Sequence, residues 1–157
     1  MTKQDFENFL REVSFVLAQS KTDFLLLGGK DLEGRMKQRI FNKGLDSNDR
    51  LIGKYKSKQW IKTRQQKGRT VQNVDLEFSG NLRNSIQTVK DGNEVVIAVI
   101  NDLDYLKATG QEIIQGKKKG KDKLIIFEPT PKEEKGVQNY IGDLIDEKIE
   151  SILAKYK

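Results

Sequence analysis

The sequence predicts an α+β fold from three observations: a period-two register confined to the middle of the chain, helical periodicity at both ends, and a complete helix-start signal at Thr130. Helices come first, then antiparallel strands joined by tight turns, then helices again. That order does not suit a parallel sheet, which needs strands and helices in alternation. At 157 residues the chain fits one domain around one core, so residues 1–157 are read as a single domain.

Residues 1–29 form the first predicted element, an N-terminal helix. Phe6, Leu10, Val13 and Leu17, joined by Phe9 and Val16, recur at the spacing that gathers them on one helical face. Thr2, followed by Asp5 three residues on, suits a helix cap. The apolar run Phe24–Leu27 ends at Gly28-Gly29, which reads as a break between helices. A second helix then starts at Asp31, with Leu32, Met36 and Ile40 on one stripe and Gly44 placed just past its end. From Gly44 to Val71 no period is visible. The segment GLDSND is a turn, a short helix fits Lys58–Gln66, and the rest of 45–70 reads as a long projecting basic loop or extended arm.

Val74, Leu76 and Phe78 then alternate with Asp75 and Glu77, predicting a strand over 74–78. Strands at 85–90 and 94–100 flank Asp91-Gly92-Asn93, whose residues tolerate the positive φ of a hairpin turn. Val95–Ile100 is apolar on both faces, which places it at the centre of the sheet. A helix follows over Asp102–Gln115, then a solvated lysine loop, GKKKGKDK, over Gly116–Lys123. A fourth strand over 124–127 returns to the sheet. Thr130 is an apt N-cap, Pro131 suits the first helical position, and Glu133 completes a capping box. Val137, Ile141, Leu144, Ile145, Ile149 and Ile152 continue as one stripe on a long C-terminal helix of about 39 Å, expected to cover a small antiparallel sheet.

The chain has no cysteine and no histidine. That removes thiolate nucleophiles, the usual zinc ligands, and the side chain most used for proton transfer near neutral pH. Serine nucleophiles therefore lack a histidine base. Gly28-Gly29-Lys30 lacks the spacing and the following Ser/Thr of a phosphate-binding loop. Asp46, Asn48 and Asp49 lack the glycine and closing glutamate of a calcium loop. Asp75 and Glu77 on one strand face, with Glu94 across the sheet, are the residual candidates for a metal, but a polar strand face is ordinarily just wet. The expectation is a protein with no catalytic residues, no cofactor and no metal. MTKQDFENFL is too polar for a signal peptide and no apolar run spans a bilayer, so a soluble, unprocessed chain without membrane contact is expected.

The net charge of +6 is local. Residues 30–69 hold 13 basic and 4 acidic side chains, while every other stretch is close to neutral, so that one stretch carries the surplus. It could meet phosphate, an acidic protein surface, or only water. Two functional readings follow. In one, Tyr55, Trp60 and Ile61 anchor an assembly arm on a neighbour, with Lys56, Lys58, Lys62, Arg64 and Arg69 pairing with acidic surfaces. In the other, the 50–69 stretch is a nucleic-acid-binding module whose aromatics stack on bases while its cations neutralise phosphate.

The runs RIFNKGLD at Arg39–Asp46, IGKYKSKQWIKTRQQKGR, VDLEFSGNLRNSI at Val74–Ile86, DYLKATGQEIIQG and IFEPTPKEE, in that order, resemble the neck proteins of tailed bacteriophages. These are the head–tail joining, tail-completion or virion morphogenesis proteins. The version seen here is similar to those of Bacteroidota phages and prophages, crAss-like phages among them. The resemblance covers about residues 30–157. It implies a structural subunit made in the host cytoplasm and built into the virion neck. There, a ring of six or twelve copies would join the DNA-filled head to the tail, next to portal, adaptor or tail proteins. DNA contact would be unspecific, and the family supplies no catalytic residues. The chain departs from many relatives at Ile126-Phe127-Glu128-Pro129, where a Pro-Phe pair followed by Arg-Pro is common.

Overall fold

The computed structural model describes residues 1–77, 79–121 and 123–157. In chain order it has α1 (Lys3–Lys37), a π-helical segment (Gln38–Lys43), α2 (Lys58–Gln66), α3 (Asn81–Ser85), β1 (Ile86–Asp91), β2 (Glu94–Val99), α4 (Asp102–Lys118), α5 (Pro131–Leu153) and a closing 3₁₀ turn (Ala154–Tyr156). The fold is α+β, with helices packed around one antiparallel hairpin whose register runs from Ile86↔Val99 to Asp91↔Glu94. Both capping boxes form. Thr2 and Asp5 start α1, and Thr130 and Glu133 start α5 with Pro131 in its first turn. Gly44 ends the π-helical segment at φ 67°, a conformation that glycine adopts without steric cost.

Gly28-Gly29 does not break α1, which runs on as one helix of 35 residues. The two glycines are contact points on neighbouring faces of it, about 100° apart around the axis. A Cβ on Gly28 would come within 2.6 Å of Ile141 Cδ1 on α5, and one on Gly29 within 2.6 Å of Thr88 Cγ2 on β1. The pair costs α1 helical propensity and in return lets it pass tightly between α5 and the hairpin. The C-terminal helix therefore packs chiefly on α1, which lies between it and the sheet, a correction to the expected cover.

The four-stranded sheet is also corrected: among the described residues it has two strands. Over 74–77 Leu76 takes φ 54°, and the Glu77 amide donates to Asp75 Oδ1 at 3.1 Å, so a side-chain turn replaces the strand. Phe78, the last residue of that expected strand, lies outside the described residues. Over 124–127 the amides are taken by α4. Leu124 N donates to the Glu112 carbonyl at 2.8 Å, while Ile126 N at 2.8 Å and Phe127 N at 3.3 Å donate to Glu112 Oε1. One buried glutamate thus does for this segment what a neighbouring strand would do. Without flanking strands, β2 is not central, and Val96 and Ile100 are exposed.

α4 continues to Lys118, three residues into the expected lysine loop. Gly116 allows this, because the backbone of Lys123 and Leu124 crosses so close that a Cβ there would meet it at 2.5 Å. Ile40, Phe41, Ile52, Ile86 and Ile126 form the centre of the core. Beside them lies Arg39, only 4% exposed. Its guanidinium donates to Glu133 Oε1 (2.9 Å) and to the carbonyls of Leu45 (3.1 Å), Ile126 (3.1 Å) and Glu128 (2.7 Å). It ties the end of the first helical run to the start of the last.

Candidate interaction surface

The basic segment folds back on its own domain. Ser57 accepts from the Trp60 amide and starts α2, and the helix presents Arg64 inward. Arg64 is 1% exposed. It donates to both oxygens of Asp75 at 2.8 Å and to the carbonyls of Thr70 (2.8 Å) and Glu77 (2.7 Å), with the Tyr55 ring stacked 4.5 Å from its guanidinium. Tyr55 in turn donates its hydroxyl to Asp75 Oδ1 at 3.0 Å. Burial, reinforced by the Asp75 carboxylate, pushes the Tyr55 phenol up to about 12.

This arrangement divides the eight predicted interface residues. Arg64 faces the domain interior and cannot meet a neighbour, which corrects its assignment. Its many donors, which made it look like a surface charge, are what satisfy four acceptors at once. Tyr55 is half-buried as its lid, Ile61 is half-buried, and Arg69 pairs with Glu77 at 3.3 Å. Lys56, Lys58, Lys62 and Trp60 remain on the outside. The expected extended arm is thus a short extended stretch followed by a helix pinned from beneath.

Asp75 and Glu77 are likewise committed. Asp75 is bound to Arg64, and Glu77 is shared between Arg69 and Arg83, the latter at 3.1 Å. Among the described residues no cluster of carboxylates is placed to hold a metal ion. Asp46 Oδ1 accepts from the amides of Asn48 (2.9 Å) and Arg50 (3.0 Å), which is turn chemistry.

A cleft of about 550 Å³ opens between α2 and α4, with Trp60, Val74, Leu76 and Ile114 among its lining together with Lys54, Lys56 and Lys118. The wall that α4 supplies was missed from sequence. The helix buries Asp104, Glu112 and Gln115 and exposes Leu103 (68%), Leu106 (65%) and Ile114 (49%). Its polarity is inverted with respect to the domain. The signal was present, since Leu103, Leu106 and Ile113 recur at helical spacing, but periodicity alone assigns such a stripe to a core. Here the opposite face is held inward because Glu112 must receive the 124–127 amides.

No helix among the described residues is long and apolar enough to cross a membrane. No protein-family model matches the chain, and neither a curated protein nor a solved structure does so.

Proposed function

We propose that the chain is a structural subunit of a phage neck, one member of an oligomeric ring that joins the DNA-filled head, through portal and adaptor proteins, to the tail. The observation that carries this reading is the inverted α4. A stripe of Leu103, Leu106 and Ile113 facing outward loses the area-proportional gain of burial unless another protein covers it. The ordered series of neck-like motifs points to which protein that is. The subunit has no catalytic role, takes no cofactor, and resides in the virion after synthesis in the host cytoplasm. Imaging lysed virions with antibody to this chain should label a ring of six or twelve copies at the neck. Recovery of the chain only from infected cytoplasm, never from particles, would overturn the reading.

A second reading, nucleic-acid binding, is favoured by one observation: Lys54, Lys56, Lys58 and Lys62 all remain exposed around Trp60. It requires affinity for DNA that falls steeply with salt and is abolished by reversing Lys54, Lys58 and Lys62 together. Arg64 must be left intact in that experiment, because it holds the helix that displays the others.

A further inference from the structure

Two helices of this molecule carry charge of the wrong sign for their own geometry. On α5, Asp143, Asp146, Glu147 and Glu150 recur at i, i+3, i+4 and i+7, and all four are exposed. They repel one another along one face and run toward the negative end of the helix dipole, whose last turn holds no basic residue. On α2 the first turn holds no acidic residue. Lys58 sits there at the positive end of the dipole, with Lys62 one turn behind it. Among the described residues none of these six side chains takes part in an ion pair. Each face is electrostatically unfavourable alone, and each is complementary to the other.

They do not meet within one chain. The acidic face lies on the part of α5 beyond Ile141, where α5 pairs with the N-terminal half of α1 as a two-helix stalk. The far end of that stalk is closed by Glu12, which accepts from Lys155 and Tyr156, and by the Phe9–Tyr156 ring contact at 5.9 Å. At 1.5 Å per residue, Phe6 stands roughly 35 Å along α1 from Gly29, where the hairpin packs on the helix. α2 sits on the body, held by Asp75.

We propose that the chain assembles head to tail with copies of itself, the carboxylate face of α5 in one copy seated on the lysine face of α2 in the next. This rests on the neck-ring reading and supplies its subunit contact. The contact is heterologous, so it propagates around a ring when the rotation closes. It also places the stalk of the first copy beside the α2–α4 cleft of the second, where Trp60 and Ile114 offer apolar area next to the charges.

The test uses two full-length variants in which the charges are neutralised rather than reversed, Lys58→Gln/Lys62→Gln and Asp146→Asn/Glu147→Gln, in analytical ultracentrifugation at low and high salt. All four positions are exposed, and the second pair improves the α5 dipole, so both variants fold. The wild type should form closed oligomers at low salt that dissociate as salt rises. Each variant alone should associate at least roughly tenfold more weakly. Mixed one to one, they should give a dimer that grows no further, because only one intact lysine face and one intact acidic face remain to meet. A wild type that stays monomeric, variants that associate as the wild type does, or a mixture that remains monomeric would each overturn the proposal. The location of the chain in virions is measured independently, so a neck ring built on a different contact would be recognised as such.

Discussion

Arg39 and Arg64 are the same solution used in two places, with different reach. Both are buried guanidiniums paired with a buried carboxylate, Glu133 for one and Asp75 for the other, and both also donate to backbone carbonyls. Arg39 joins segments 94 residues apart and sits where α1, the 124–128 segment and α5 converge. Arg64 reaches Asp75, 11 residues away, and closes one local loop. The comparison teaches that a buried ion pair is a fastener whose effect depends on what it fastens. The first holds the architecture, and the second holds a display helix on the surface.

Substitution should separate them. Arg39→Leu leaves Glu133 buried beside three unpartnered carbonyls and should lower unfolding stability by about 3–5 kcal/mol in urea titrations. A loss below about 1 kcal/mol would mean that the clamp is dispensable. Arg64→Leu should act on less of the molecule. Hydrogen exchange over Lys58–Gln66 should rise toward the unprotected rate, while Ile86–Asp91 and Glu94–Val99 keep their protection. Global loss of protection would show that the two clamps are equivalent. In the unsubstituted chain α2 should already be protected without any neighbour, opposite to what dense like charge over 45–70 suggests.

Glycines give a smaller contrast. Gly28→Ala forces a methyl against Ile141 and should cost about 1–3 kcal/mol of overpacking, partly offset by its better helix propensity. Gly34→Ala, on the same helix with nothing within 4 Å, should stabilise by up to about 1 kcal/mol. Equal effects at the two positions would refute the close passage of α1 between its neighbours. The smallest effect concerns Tyr55. Its folded pKa is raised from 10.0 to about 12, so its contribution is whole below the unfolded value and is lost as pH rises through the folded one. Phenolate absorbance should show a tyrosine titrating near pH 12 that Tyr55→Phe removes, and loosening of α2 should follow the same pH window.

The terminal helices, both capping boxes, the hairpin, the 58–66 helix and the α+β class were legible because their causes are local. Thr130, Pro131 and Glu133 act within one turn, and Gly92 acts within its own bend. Two strands were misread because an alternating or apolar run suits a strand but does not supply one with a partner. The Val74 amide bonds the Gly53 carbonyl and the Glu77 amide the Asp75 carboxylate, while Glu112 accepts from the amides of Leu124, Ile126 and Phe127. Gly28-Gly29 looked like punctuation because only the packed molecule shows α5 pressing on one glycine and the hairpin on the next.

Within the site, the exposed lysines and Trp60 could be read from composition, whereas the fate of Arg64 could not. Arginine and lysine count alike in a charge tally, and only the fold brings Asp75, Thr70, Glu77 and the Tyr55 ring around one of them. The sequence by itself determined where helices begin, where the chain turns and where charge accumulates, since these depend on neighbours within a few residues. The tertiary structure alone decided which face of α4 looks inward and which cation is buried. Both outcomes depend on acceptors and donors delivered by segments beyond the reach of helical or strand periodicity, and each interior group left without its hydrogen bond carries a desolvation penalty.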